Sequence, residues 1–515
     1  MLAACATTPS ASIDEMFGER VKDDLPSAAH EAEWVVVESP LFEIYSTFSL
    51  EKTRALARHL EQFHALIQAV TNVSRRASAV PTRILAFADP AHYAELAPEK
   101  TGGFFASGLR NNWMLITQPS GQLAAGEVIL HEYSHQVLRH RTSRSYPIWY
   151  DEGFAELFST VKVVRDKTLS IGAPPEVAGS WIQFGEWLPL ERILATRSYG
   201  ELAGDERSMF YAQSWLLVHY LTLDRPAREA SFRFSLDRYL DLIELGISPA
   251  AAFESVTGES PAAVDRRLRA IKRVRVGGYE IAKLSYDRRE TTSRAIAPGE
   301  VLVRLGELQL VRGKVASAER AFREALEADP ENARAYAGLG HALRFGSDVD
   351  EADKMFRRAL ELDPTDPLNH LDMAQYHLDY ATHMWGDAEV MREHLATARS
   401  HCDAAIRLDD SLPEVWSILG ATHLAPGEDP AKAIPLLERA LGGHPSSEEI
   451  LRLLAEARLA SGDELSARDL LRRMIVVRGD LEGGQSVDDT IEQMERRRAS
   501  QARRVGLGPD AKAPG

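Results

Sequence analysis

The sequence predicts an α+β domain followed by an all-α superhelix of stacked helical hairpins. Two observations carry that expectation. Residues 31–290 mix short β-favouring runs with stretches of helical spacing. From about Gly299 to Val477 the pattern changes to a repeat with a period of 34 residues, the size of one helical hairpin.

The chain has 515 residues, too many for one hydrophobic core, so two to four domains are expected. A formal charge of −16 argues against a general nucleic-acid binder, which needs a basic surface to neutralise phosphates. No apolar run approaches the roughly 18–20 residues that span a bilayer, and the longest candidate, Trp215 to Leu221, is far too short. The two cysteines, Cys5 and Cys402, cannot form a disulfide framework or a zinc ribbon.

Residues 1–30 are small and polar and read as a tether. Within them Leu2-Ala3-Ala4-Cys5 resembles a bacterial lipoprotein box, which implies lipidation of Cys5 and an envelope location, with Cys402 as the free thiol. A signal peptide also needs a charged and then an apolar region ahead of the box. Met1 stands directly before it, so the expectation is that the natural chain starts further upstream. If the box is fortuitous, the same composition suits the cytoplasm.

In the domain at 31–290, Trp34 to Glu38, Phe42 to Thr47, Arg83 to Phe87 and Trp113 to Thr117 are β-favouring runs bounded by Pro, Gly or Asn. Between them Leu56, Leu60, Phe63, Leu66 and Ile67 share one face of a helix over Leu50 to Val70. Helices over Gly121 to Arg139 and Pro147 to Val163 come next, with Pro147 suited to a first helical position, and further helices run to about Arg275.

In the repeats, at 296–480, Leu305-Gly306 recurs as Leu339-Gly340. Phe322, Ala325 and Asp329-Pro330 recur as Phe356, Ala359 and Asp363-Pro364. A third unit is expanded around Tyr380 to Glu393, and Ala404-Ala405-Ile406 restores the phase. Leu419-Gly420 with Ala440-Leu441 marks a fourth unit, and Leu453 to Met474 a fifth, capping one. This pattern resembles tetratricopeptide repeats, whose stacked hairpins form a groove for peptides or helices. Residues 481–515 read as a loose polar tail, its basic patch at Arg496-Arg497-Arg498 and Arg503-Arg504 being an ordinary solvated helix end.

His131-Glu132-Tyr133-Ser134-His135 fits H-E-x-x-H. Residues four apart lie one above the other on a helix, so two imidazoles can reach one zinc ion. Glu132, one step round, can act as general base without being a ligand. Val128, Ile129, Val137 and Leu138 are expected to bury the other flanks of that helix. Downstream, Pro147 opens a helix on which Glu152 and Glu156 share a face. Glu152 can complete a three-ligand set, and Glu156 can accept from the far nitrogen of a ligand histidine.

An H-E-x-x-H helix followed by a helix with Asp151-Glu152-Gly153-Phe154-Ala155 resembles the gluzincin peptidases, closest to bacterial peptidase MA-like domains. Trp34, Gly103-Phe104 and the Pro147 stretch fit the order of elements in that group, over residues 31 to 225 and on towards 275. The resemblance implies a zincin-like fold, Zn2+ held by His131, His135 and Glu152, Glu132 as base, and Tyr211 as donor to the oxyanion. An ordinary core tyrosine is the competing reading of Tyr211, since Phe210, Trp215, Leu217 and Tyr220 are also apolar. The spacing from His135 to Glu152 is slightly short for the group, and the element that holds a substrate's N-terminal amine in aminopeptidases is missing. Gly108 to Asn112 is the nearest stretch, so aminopeptidase activity is not expected.

The expected function is a zinc-dependent peptidase whose repeats recruit protein partners or substrates. The alternative is a non-catalytic envelope scaffold with a degenerate metal domain. His370, His377, His383, His394 and His401 lack the spacing of a compact metal site and read as groove or surface histidines.

Overall fold

The computed structural model describes residues 27–71, 82–97, 103–106, 110–117, 124–139, 146–165, 168–197, 199–229, 231–271, 279–281, 291–345, 349–384, 387–478 and 487–504. The stretch around Cys5 lies outside the described residues.

The N-terminal part is built on a mixed sheet. Its strands are β1 (Val35–Glu38), β2 (Phe42–Ser46), β3 (Thr82–Phe87), β4 (Gly103–Ala106), β5 (Asn112–Thr117) and, far downstream, a strand at Thr292–Arg294. The spatial order is β4, β5, β3, β2, β1 and then that late strand. β2, β3 and β5 run parallel, and β4 pairs antiparallel with β5. A parallel pair needs a crossover, which α1 (Leu50–Thr71) supplies between β2 and β3. The short α2 (Pro90–Leu96), capped by Asp89, follows β3.

Alternation decides what each face carries. Val37, Ile44, Ile84, Ala86, Met114 and Ile116 point to one side, where Leu60, Phe63, Leu66 and Ile67 of α1 cover them. Val36, Tyr45, Leu85, Phe87, Trp113 and Leu115 point to the other, against Leu305 and Leu308 at the start of the repeats. Burial on both faces is why these strands read as unbroken apolar runs.

The same side as α1 holds α3 (Ala124–Arg139) and α4 (Ile148–Ser159), then α5 (Glu176–Phe184), α6 (Leu190–Ala195) and α7 (Asp205–His219). Three shorter helices follow, α8 (Leu236–Glu244), α9 (Pro249–Thr257) and α10 (Pro261–Ile271).

Three sequence expectations fail here. Pro147 is the N-cap of α4, not its first helical residue. α4 ends at Ser159 rather than Val163, because the β-branched run after it forms β6 (Lys162–Arg165), paired with β7 (Thr168–Ile171) and, through β7, with β8 (Tyr279–Ile281). An apolar helix running directly into an apolar strand hides the boundary. Lastly, β9 (Thr292–Arg294) joins the large sheet beside β1 from beyond residue 290. Its exposed polar residues carry no apolar alternation. Backbone pairing and the ion pairs of Arg294 with Glu38 at 2.7 Å and with Glu300 at 2.5 Å hold it.

Antiparallel hairpins make up the rest: α11 (Glu300–Val311) with α12 (Val315–Ala328), α13 (Ala333–Phe345) with α14 (Val349–Leu362), and α15 (Pro367–Asp379) with α16 (Ala388–Leu408). Then come α17 (Pro413–Thr422) with α18 (Ala433–Gly443) and α19 (Glu448–Ala460) with α20 (Glu464–Arg478). The recurring glycines have a packing cause. A Cβ at Gly306 would meet the Phe322 ring at 2.7 Å, one at Gly338 would overlap the same ring, and one at Gly340 would meet Phe356 at 2.7 Å. In the expanded unit, α15 runs on through a π-helical turn at Tyr380–Met384, and α16 has 21 residues against 14 in α12 and α14.

The tail is not loose throughout: α21 spans Val487–Arg504. Val487, Ile491 and Met494 make an i, i+4, i+7 stripe that packs on the last hairpin with Leu471 and Met474. Three apolar residues among many charges are too weak a signal to read.

Candidate metal centre

α3 carries the H-E-x-x-H pentapeptide, and its flanks fix its orientation. Ile129, Val137 and Leu138 are buried as expected, whereas the side chain of Val128 lies outside the described residues. The two central residues of the motif are buried as well. Tyr133 packs its ring against Phe42 and Phe63, and its hydroxyl lies 2.7 Å from His64 Nδ1. Ser134 donates its hydroxyl to the Leu130 carbonyl at 2.6 Å. With that side of α3 committed to the core, His131 and His135 turn towards α4.

α4 is apolar nearly all round, as expected of a helix enclosed by others. Trp149, Phe154, Leu157 and Phe158 are fully or almost fully buried. Gly153 lets α7 approach closely, since a Cβ there would stand 2.6 Å from the Ser214 carbonyl carbon and 2.7 Å from Val218 Cγ2. Glu152, the preceding residue, is 0% exposed and faces the histidines.

Three buried donor atoms converge, one each from His131, His135 and Glu152. His131 Nε2 and His135 Nε2 are 3.1 Å apart, and Glu152 Oε2 stands 3.5 Å from the first and 3.6 Å from the second. Ligands about 2.0–2.2 Å from a tetrahedral zinc are separated by roughly 3.3–3.6 Å. The imidazole separation of 3.1 Å is slightly below that range and the other two fall within it, and the circle through the three atoms has a radius of about 2.0 Å, which three ligands about 2.1 Å from a tetrahedral ion would give. Two imidazoles and a carboxylate are also the donor chemistry of a catalytic rather than a structural zinc site. The residues present fit the ion.

The outer nitrogens of both histidines face carboxylates. Asp151 Oδ1 lies 2.8 Å from His135 Nδ1, and Glu156 Oε1 lies 3.6 Å from His131 Nδ1. Glu156 faces His131 but stands beyond hydrogen-bond length, so the hydrogen bond expected of it is not formed; the close carboxylate is Asp151, which the sequence reading did not single out. Its place in the motif beside Glu152 was the available signal: adjacent helical positions can address the near and far sides of one imidazole.

Burial pushes the Glu152 carboxyl up, but His135 and His131 together outweigh it and hold the group well below the usual carboxylate range. Glu156 is raised instead. Burial is the main cause, and repulsion from Glu152 adds to it against the pull of His131.

Glu132 is half-buried on α3, one residue beyond His131. Tyr211 lies half-buried on α7, on the i, i+3, i+7 face it shares with Ser214 and Val218, one turn ahead of their contact with Gly153. The neighbouring Gln213 ties α7 to the segment before α6, accepting from Leu188 N–H at 2.8 Å and donating to Leu188 O at 2.9 Å.

The repeats meet this domain through charge as well as through Leu305 and Leu308. Arg83 bridges Glu43 of β2 at 2.7 Å and Glu307 of α11 at 2.9 Å. Arg110, at the entry to β5, reaches into the inner groove of the repeats. There it donates to Glu414 at 2.7 Å and to Asp372, which His341 also approaches at 2.7 Å. The groove around Arg110 encloses about 950 Å³ and is lined by Trp113, Glu307, Arg334, Tyr380, Glu414 and, from α21, Arg497, among others.

Residues 303–367 and 424–476 match family models for the tetratricopeptide repeat. The C-terminal part of the chain is a tetratricopeptide-repeat region. Neither match reaches the helices that carry His131 and Glu152, and no curated protein matches the chain. Similar solved structures include a thermophilic tetratricopeptide-repeat protein of Thermus thermophilus, with 20% identity over 40% of this chain and 99% of its own and a TM-score of 0.33. PilF of Pseudomonas aeruginosa has 20% identity over 41% and 87%, with a TM-score of 0.31. YrrB, described as a tetratricopeptide-repeat protein with an unusual peptide-binding site, has 16% identity over 38% and 90%, with a TM-score of 0.26.

Proposed function

We propose that the chain is a zinc-dependent peptidase of gluzincin type with a zincin-like N-terminal domain, and that its repeats recruit the protein substrate or a protein partner. The observation that carries this reading is the buried triangle of His131 Nε2, His135 Nε2 and Glu152 Oε2, with sides of 3.1, 3.5 and 3.6 Å. A structural zinc site closes its fourth position with protein, whereas a catalytic site keeps three protein ligands. His131, His135 and Glu152 would hold the ion. Zinc, when bound there, supplies a Lewis acid that polarises an amide carbonyl and makes water acidic enough to react near neutral pH.

The chain's own residues do the rest. Asp151 accepts from Nδ1–H of His135 and so leaves the lone pair on Nε2, towards Glu152. Glu156 gives His131 a carboxylate on its outer side. The Glu132 carboxylate takes the proton from the attacking water and returns it to the departing amine nitrogen. Tyr211 donates its hydroxyl to the oxyanion that forms as the amide is attacked. An endopeptidase, or a hydrolase of other amides, suits the missing amine-binding element better than an aminopeptidase.

A non-catalytic repeat scaffold is the second reading, and the restriction of both family matches to the repeats favours it. Metal analysis and cleavage of a broad peptide library by the native chain and by Glu132→Gln separate the two. On the peptidase reading both proteins carry one zinc, and only the native one cleaves, with the loss on the order of 10²–10⁴-fold for a missing general base. Zinc in both with cleavage by neither overturns the peptidase reading.

A further inference from the structure

The inner groove of the repeats, into which Arg110 reaches, encloses about 950 Å³. That is the upper end of the roughly 300–1,000 Å³ typical of ligand pockets. Leu378, Ile418, Leu424 and Leu453 give it apolar wall, and five carboxylates line it. Four of them already face a cation. Glu307 pairs with Arg83 at 2.9 Å and with Arg304 at 3.1 Å, Glu414 with Arg110 at 2.7 Å, Glu456 with Arg452 at 3.2 Å, and Asp379 with Arg344.

The fifth is Glu449, which makes no ion pair or hydrogen bond among the described residues. It stands in the first turn of α19, and Arg452, Leu453 and Glu456 follow it at i+3, i+4 and i+7. One stripe of that helix therefore faces the groove, and within the stripe Arg452 donates to Glu456. The Glu449 side chain is exposed, and what it faces is the groove. Enclosure by the groove walls pushes its carboxyl above the ordinary value, and repulsion from Glu414 and Asp379 adds to this against the pull of Arg452. A cation arriving beside Glu449 would relieve that repulsion and meet a carboxylate that no described residue neutralises by contact.

The chain itself shows a cation that suits these walls. Arg110, from outside the repeats, donates to Glu414 through Nε and Nη2, each at 2.7 Å, the two-point contact that a guanidinium makes with a carboxylate. Aliphatic wall beside open negative charge is the surface that an extended segment with alternating basic and apolar side chains complements. The formal charge of −16 on the whole chain attracts such a segment over longer range.

We propose that the groove takes a peptide segment bearing arginine or lysine, with that cation held by Glu449 beside Glu414 and Asp379, and with neighbouring apolar side chains packed on Leu424 and Leu453. This names the partner chemistry of the recruitment step and rests on the reading that the repeats recruit a protein. It does not depend on zinc.

The test uses the full chain carrying Glu132→Gln, so that no bound peptide is consumed, on an array of random-sequence peptides. Bound sequences are expected to be enriched in arginine and lysine. A fluorescein-labelled peptide of the enriched sequence then gives the affinity by fluorescence anisotropy. Adding Glu449→Gln, an isosteric change at an exposed side chain, is expected to weaken that affinity about tenfold, the loss of one hydrogen bond to a charged group. Adding Glu464→Gln, whose carboxylate pairs with Arg468 at 2.8 Å away from the groove, is expected to leave it unchanged. Bound sequences without basic enrichment overturn the proposal and leave the recruitment reading standing, whereas binding of no peptide at all overturns both. Basic enrichment with native affinity in the Glu449→Gln protein, or with equal losses in the two variants, overturns the proposal as well.

Discussion

Gly153→Ala tests whether the contact between α4 and α7 sets the position of Glu152. The added methyl would overlap the Ser214 carbonyl oxygen and stand 2.6 Å from its carbon and 2.7 Å from Val218 Cγ2, so the closest contact lies about 1 Å inside ordinary contact at 3.4 Å. Both neighbours belong to a buried helix, so the helices themselves must part. Overpacking of this kind costs about 1–3 kcal/mol, and alanine returns about 1 kcal/mol over glycine in helix propensity. The net loss is therefore about 2 kcal/mol at most, and the variant should fold. The site is less tolerant. Metal–ligand distances hold to within about 0.2 Å, and Glu152 is the residue next to the one displaced. Zinc affinity, measured in competition with a chromophoric chelator, is expected to fall at least tenfold while the unfolding temperature falls by only a few degrees. Native zinc affinity in a folded Gly153→Ala protein would refute the argument that this helix contact positions Glu152.

Other perturbations read other links. Arg110→Ala removes the cation that Asp372 and Glu414 share, while Asp372 keeps Arg334 at 3.3 Å and His341 at 2.7 Å, so the cost should stay below the about 3–5 kcal/mol of an uncompensated buried charge. Denaturant unfolding should then separate into two transitions as the repeats uncouple from the sheet, and one unchanged transition would count against the bridge. His64 is pushed down to about 4 by burial, so the folded state disfavours its charged form. Its neutral form contributes stability that is whole above the unfolded value near 6.5 and drains as pH falls towards 4, by up to about 3 kcal/mol. His64→Gln should flatten the denaturation midpoint across that window. Gly338→Ala forces a methyl into the Phe322 ring and should destabilise the repeats by up to about 2 kcal/mol net of helix propensity, read as a lower urea midpoint.

The extent of foresight differs between the two halves for physical reasons. In the repeats each hairpin packs on its sequence neighbours, so glycine, alanine and phenylalanine at fixed offsets state the fold directly. In the candidate metal centre His131 and His135 lie one helical turn apart, and local spacing fixes their convergence. Asp151 is visible in the motif but its partner is not, because whether it or Glu156 reaches a given imidazole depends on how α4 lies across α3.

Sequence by itself determined the strongly periodic local matters: the helices with a clear apolar stripe or repeat, the two-histidine face, and the 34-residue period. Tertiary structure alone decided that β9 returns to the edge of the first sheet, that Arg110 reaches into the groove of the repeats, and that His370 pairs with His401 and His377 with His394. Each of those joins residues far apart in the chain, or in a register set by helix packing, through backbone pairing, charge or ring contact. Such interactions leave no periodic trace in the order of residues, whereas helical spacing and repeats do.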